Sequence, residues 1–364
     1  MEFICTKCGR KEAVTTRAAH CACGGLWRLA YEPPKFDLAE IDRNEWSLFR
    51  YRRFLALDDE SWRSVSMGEG MTPVVRLDDN VLLKMDYFMP TLSFKDRGAA
   101  TLIAHCKSIG VQQVVQDSSG NAGNAVAAYC ARSGIGCEIF VPEGTSPKKI
   151  DMICAHGAVC TVVPGTRDHC ADVCREKVER EGVYYANHVY NPFFYEGTKT
   201  YIYEVFEQLG RIPANLVIPV GNGTLFLGAM YALEHLFNSG VIDRFPQIIA
   251  LQSQNCDPLL RAAEHGKTEP EAVMPAPTIA EGIAIGKPMR GREILTLAEK
   301  HGVHFIHAPE EQILSARATL AKKGIYCEHT TAANYAAYLE YCRVYGKTSD
   351  TLITMCGAGL KSDH

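Results

Sequence analysis

From residue 72 onward the chain alternates short apolar runs with longer amphipathic or alanine-rich runs. That alternation constrains the fold more than any other feature. Strand–helix repeats dictate an α/β protein with parallel sheets and right-handed crossovers. Strands are predicted at 81–85, 111–116, 137–141, 158–163, 216–220, 248–252 and 352–355. Helices are predicted at 97–109, 121–133, 147–156, 167–181, 199–209, 225–238, 310–323 and 332–345, with Gly110, Gly134 and Gly157 as stops. The stretch 36–65 is polar and aromatic and reads as helical in part. At roughly 150 residues per domain, 364 residues suggest about two domains.

Composition narrows the function classes. Apolar residues make up 47% and charged residues 22%, enough for a large core. A net charge of −4 gives no reason to expect a nucleic-acid or anionic-membrane partner. Apolar runs such as 216–220 fall far short of the ~20 residues of a membrane span. The first residues lack the basic-then-apolar pattern of a secretion signal. The fifteen cysteines are odd in number and mostly scattered singly, which fits reduced thiols and a cytoplasmic location.

In parallel α/β sheets ligands gather beyond the strand C-termini, so the turns that follow strands carry the argument. Asp117-Ser118-Ser119-Gly120-Asn121 precedes a helix; its small residues admit a ligand closely, and Asn121 presents an amide. As a plain helix cap it reads equally well. Gly221-Asn222-Gly223-Thr224-Leu225 holds the same position after an apolar strand, a phosphate cradle with glycines and a hydroxyl at a helix start. It is not a dinucleotide fingerprint, because Phe226 fills the third glycine position. No nucleotide P-loop appears either, since Gly266-Lys267-Thr268 and Gly346-Lys347-Thr348 lack the upstream glycine. Cys356-Gly357-Ala358-Gly359 follows the last strand, where a thiol faces a ligand ring or is simply buried. Finally, Lys95 in Ser93-Phe94-Lys95-Asp96-Arg97-Gly98 stands in a first helical turn, where the dipole disfavours a cation and favours a nucleophilic amine. The bland alternative is a surface lysine paired with Asp96. Taken together, an amine nucleophile, a phosphate cradle, an amide and a ring-nitrogen partner are the four needs of pyridoxal phosphate.

Over nearly its whole length, and in order, the chain resembles the threonine-synthase-like branch of the fold-type II pyridoxal-phosphate enzymes. The resemblance is carried by Gly68-Glu69-Gly70-Met71-Thr72-Pro73, by Pro90-Thr91-Leu92-Ser93-Phe94-Lys95-Asp96-Arg97-Gly98 and by Ser118-Ser119-Gly120-Asn121. Gly221-Asn222-Gly223-Thr224-Leu225, Thr278-Ile279-Ala280-Glu281-Gly282-Ile283 and Gly357-Ala358-Gly359-Leu360-Lys361 complete it. It implies that Lys95 is the catalytic lysine that binds the cofactor covalently. Asn121 then faces the ring hydroxyl, Gly221, Asn222, Gly223, Thr224 and Leu225 hold the phosphate, and Cys356 faces the pyridine nitrogen. It also implies a large cofactor-binding domain of residues 31–90 plus 205–364, a small domain of 91–204 carrying Lys95 and Asn121, and a homodimer acting on a small amino-acid substrate.

Members of that branch often begin with a zinc ribbon. Residues 1–30 resemble one, with Cys5, Cys8, Cys21 and Cys23 as the thiolate set for tetrahedral zinc and His20 as a substitute ligand. A segment so short needs such a staple. The second pair is spaced C-x-C rather than C-x-x-C.

Two positions depart from the family pattern. Phe194, in Asn191-Pro192-Phe193-Phe194-Tyr195-Glu196-Gly197, stands where an arginine usually reaches the substrate phosphate. An aromatic ring makes no bidentate contact with a dianion. Ala358 replaces a histidine. The resemblance implies γ-elimination from a phosphorylated homoserine with water addition. The alternatives are β-elimination or β-replacement, as in a Ser/Thr ammonia-lyase or a cysteate-synthase-like enzyme, and a non-catalytic cofactor-binding regulator.

Overall fold

A computed structural model describes residues 1–361. Its strands are β1 (Glu2–Cys5), β2 (Lys11–Ala13), β3 (Trp27–Leu29), β4 (Val74–Arg76), β5 (Val81–Lys84), β6 (Gln113–Gln116), β7 (Gly136–Pro142), β8 (Val159–Val163), β9 (Tyr184–Tyr185), β10 (Asn215–Pro219), β11 (Gln247–Ser253), β12 (His304–Ala308) and β13 (Thr351–Thr354). The α-helices are α1 (Lys95–Ser108), α2 (Asn121–Ser133), α3 (Pro147–Ala155), α4 (Arg167–Glu181), α5 (Phe193–Leu209), α6 (Thr224–Asn238), α7 (Pro258–Glu264), α8 (Gly291–His301), α9 (Glu310–Lys322) and α10 (His329–Tyr345). Among the described residues no helix is long and apolar enough to cross a membrane.

Two compact units share the chain. One holds Met1–Pro34, Ala39–Gly70 and Lys95–Thr198; the other holds Lys35–Leu38, Met71–Phe94 and the chain from Lys199 onward.

In the first unit, four parallel strands lie in the order β8-β7-β6-β9. Gly134 closes α2 in the left-handed conformation at φ 70°, the stop that the sequence predicts. A separate antiparallel sheet, β2-β1-β3, is built from the first thirty residues. Phe3, Cys5, Cys21 and Trp27 from that segment share a buried cluster with Ala56 and Phe193. The aromatic stretch before residue 65 forms 3₁₀ turns, Leu48–Phe54 and Ser61–Ser64, rather than an α-helix. Ser47 Oγ starts the first by accepting from the Phe49 N–H.

The second unit contains a six-stranded sheet in the order β12-β11-β10-β13-β5-β4. All neighbours are parallel except β4, which pairs antiparallel with β5 at the edge. Val81, Leu83, Val217, Ile249, Leu251 and Ile353 from the strands pack with Leu320, Ala333 and Ala337 of α9 and α10. Lys84 and Glu204 form a fully buried ion pair at 2.9 Å. Lys84 Nζ also donates to the Thr72 carbonyl at 2.7 Å and Gln208 at 2.9 Å, so the buried ammonium has its hydrogen-bonding capacity filled.

Helix α5 begins at Phe193, not at 199. Asn191 Oδ1 accepts the Phe193 N–H at 3.0 Å, and Pro192 presets the entry, so the Asn-Pro motif is a helix cap. The sequence pattern also gave no sign of β9, β12, α7 or α8.

Candidate active site

The segment that leads to Lys95 is tied to the chain beyond β13. Phe94 N–H donates to the Cys356 carbonyl at 3.0 Å, Ser93 bridges Gly357, and Ala358 N–H donates to the Leu92 carbonyl at 3.1 Å. Leu92 takes φ 61°, a left-handed conformation unusual for a γ-branched residue. The next residue after Phe94 is Lys95, the first of α1.

In the first unit Lys95 lies near a buried aromatic ring. Its Nζ lies 6.0 Å from the Phe194 ring centroid. Phe194 is fully buried, and a β-carbon at Gly98, one turn along α1, would collide with its ring. His188 packs edge-on to the same ring at 5.8 Å. Asn121 is the first residue of α2, with Gly120 as its cap. At Gly123 a β-carbon would overlap the Ser118 carbonyl, so the loop needs glycine there. Asp117 is held by the Tyr185 hydroxyl at 2.6 Å and Asn187 Nδ2 at 2.7 Å.

In the second unit, Gly221, Asn222 and Gly223 turn between β10 and α6, whose first residues are Thr224 and Leu225. Gly223 is the cap at φ 79°. A β-carbon at Gly221 would press within 3.0–3.2 Å of Ile285, Ile283 and Gly282, so the 278–283 motif is the wall behind this turn. Four N–H groups at a helix start lack intrahelical partners, and here they are offered by a helix of 15 residues. Cys356 is 2% exposed; its Sγ lies 3.2 Å from Thr331 Oγ1 and 3.9 Å from Asn334 Nδ2. Ser93 Oγ and Asn334 Oδ1 are buried without hydrogen-bond partners. Orphaned polar atoms tied to the end of β13, and a glycine-lined helix start after its neighbour β10, fit a polar cofactor bearing a phosphate. Thr331 and Asn334 escaped the sequence reading, because a polar residue inside an alanine-rich helix has no periodic signature.

The four N-terminal cysteine Sγ atoms all lie within 4.8 Å of one another. Cys5 and Cys23 are 3.5 Å apart, Cys8 and Cys21 3.7 Å. The Lys7 and Cys8 N–H groups point at Cys5 Sγ at 3.4 and 3.5 Å. A tetrahedron with ~2.3 Å metal–sulfur bonds has edges of ~3.8 Å, so the spacing suits one metal ion. His20 instead places Nδ1 on the Cys21 carbonyl.

Fold and site define an α/β pyridoxal-phosphate enzyme of fold type II. The chain belongs to the pyridoxal-phosphate dependent enzyme family, whose model matches residues 65–357. It is 30% identical to threonine synthase of Methanocaldococcus jannaschii, over 91% of this chain and 85% of that one. Among solved structures it is similar to the processed form of threonine deaminase isoform 2 from Solanum lycopersicum, with TM-score 0.71, 21% identity and coverage of 91% and 93%. An L-serine ammonia-lyase from Rhizomucor miehei gives TM-score 0.70 at 21% identity, covering 80% and 94%. The protein is thus a pyridoxal-phosphate-dependent lyase, acting by elimination or replacement as the resemblance implies.

Proposed function

We propose that Lys95 is the cofactor-binding lysine of an amino-acid lyase of the threonine-synthase-like kind. The observation that carries this reading is the position of Lys95 at the head of α1, directly after a segment bonded to the Cys356 strand end. Gly221, Asn222, Gly223, Thr224 and Leu225 hold the cofactor phosphate by backbone N–H groups and the Thr224 hydroxyl. Asn121 meets the ring hydroxyl, and Cys356, steadied by Thr331 and Asn334, meets the ring nitrogen. When bound, pyridoxal phosphate supplies an electron sink for a carbanion at the substrate Cα. Lys95 would hold the cofactor covalently and, once its amine is free, would serve as general base for the substrate Cα proton. In the first reading a second proton would be removed from Cβ, the leaving group would depart from Cγ and water would add at Cβ, the course that the family resemblance implies for a phosphorylated homoserine. A second reading, β-elimination or β-replacement, is favoured by Phe194, whose buried ring occupies the vicinity of Lys95.

In this reading the larger cofactor domain comprises residues 31–90 and 205–364, and the smaller, of 91–204, carries Lys95 and Asn121. The N-terminal segment is a zinc ribbon with Cys5, Cys8, Cys21 and Cys23 as ligands. The fifteen cysteines are odd in number and mostly scattered singly along the chain, which supports a reducing cytoplasm. A homodimer is supported by exposed Phe88, Leu92, Tyr326 and Leu360. Their segments are joined where Ala358 N–H meets the Leu92 carbonyl and Gly359 N–H meets the Tyr326 carbonyl.

Lys95→Ala is expected to lose both the visible absorbance of the lysine-linked cofactor and all turnover. Turnover retained in that variant would sink the assignment. Assays on O-phosphohomoserine, threonine, serine and phosphoserine separate the two readings.

A further inference from the structure

The loop after β9 carries a group that the site described above does not use. His188 is 7% exposed, and its Nδ1 is buried without a hydrogen-bond partner. A polar atom left in that condition is destabilising unless a partner arrives. The loop has little freedom to turn the ring away. Asn187 Oδ1 accepts the N–H groups of Val189 at 2.8 Å and Tyr190 at 3.2 Å. Asn187 Nδ2 donates to Asp117 at 2.7 Å and to the Tyr185 hydroxyl at 3.1 Å. The imidazole rests edge-on against Phe194, the ring that also lies 6.0 Å from Lys95 Nζ. Burial, and after it the charges of Lys95 and Arg167, hold the His188 imidazole well below its usual range. It is therefore neutral, with one donor and one acceptor nitrogen.

We propose that His188 contacts the substrate and sets its specificity, Nδ1 making one hydrogen bond to an uncharged side-chain hydroxyl, with Phe194 as the apolar wall beside it. The inference rests on the Lys95 reading and selects its second branch, with a β-hydroxy amino acid as substrate class. A phosphate dianion is matched by cationic, bidentate donors. A neutral ring nitrogen beside a phenyl face offers a single neutral hydrogen bond, which a hydroxyl matches. Substrates lacking the hydroxyl leave Nδ1 unpaired, the condition that discriminates most strongly between analogues.

The test uses the cofactor-loaded enzyme. L-Serine, L-threonine, L-alanine, L-2-aminobutyrate and O-phosphohomoserine are titrated while the visible absorbance of the cofactor is followed. Wild type is expected to bind serine and threonine about tenfold more tightly than their hydroxyl-free analogues, the size of one hydrogen bond. His188→Ala is expected to erase that ratio by weakening only the hydroxy amino acids. His188→Asn, whose amide lies near the Nδ1 position, is expected to restore most of it. No preference for the hydroxyl in wild type, no spectral response to serine or threonine, or equal losses for both ligand classes in His188→Ala overturns the proposal. So does tighter binding of O-phosphohomoserine than of threonine. The Lys95 reading fails separately, by persistence of the absorbance in Lys95→Ala.

Discussion

Burial pushes the Glu69 carboxyl up to about 7, against backbone and Tyr129 hydrogen bonds that pull the other way. Its Oε2 accepts from the Met67 N–H at 2.7 Å and the Tyr129 hydroxyl at 3.1 Å, while Oε1 has no partner. The unfolded chain releases this proton near 4.5. The folded state therefore binds the proton more tightly, and stability falls as pH rises through that window. A shift of this size corresponds to on the order of 3 kcal/mol. Glu69→Gln cannot titrate, so its stability relative to wild type should improve by up to that amount between pH 5 and pH 8. Urea unfolding at the two pH values reads this directly, and parallel wild-type and variant curves would refute it. Residues of this kind mark the limit of the sequence. The turns that carry Lys95, Asn121 and the glycines of 221–223 stand out in the sequence because each has a spacing with a chemical reason. Glu69 and His188 do not, because burial and a missing partner are properties of the packed chain.

At the scale of elements, α1 and α5 meet through two glycines. A β-carbon at Gly197 would overlap the Arg97 carbonyl and crowd Thr101 Oγ1 at 2.6 Å, whereas at Gly98 the nearest atoms it meets are those of the Phe194 ring. A ring can rotate or shift, but a helical carbonyl cannot. Gly197→Ala should therefore destabilise by about 3 kcal/mol or more, and Gly98→Ala by about 1–3 kcal/mol. Gly98→Ala should also disturb the cofactor absorbance, because Phe194 lies beside Lys95. Thermal unfolding with the absorbance recorded in parallel checks both, and a milder Gly197 variant would contradict the geometry. Helices with strong local signals were legible almost to the residue: α2 and α4 begin and end where the pattern put them. What the pattern missed was short or unsignalled. β9 has two residues, too few for a period, and the start of α5 was hidden in a motif that reads as a loop.

For the whole molecule, the exposed apolar set of Phe88, Tyr326 and Leu360 makes self-association testable. Tyr326→Asp combined with Leu360→Asp should convert a dimer to a monomer in sedimentation velocity. An unchanged sedimentation coefficient would remove this surface as the interface. Native mass spectrometry should find one zinc per chain, lost in Cys21→Ser. Because Cys5 and Cys21 share a buried cluster with Phe193, loss of the metal should lower the melting temperature of the whole first unit rather than release a frayed tail.

The strand order carries a further consequence, for how the chain is made. β13 lies in the middle of the six-stranded sheet, between β10 and β5, yet it follows every other strand of that sheet along the chain. β5 pairs with it from Val81 to Lys84 opposite Thr351 to Thr354, roughly 270 residues downstream. At about 5–20 residues per second, β5 waits tens of seconds on the ribosome with one edge open. A chain interrupted before β13 would leave two half-sheets with bare edges, a product destined for chaperones or aggregation.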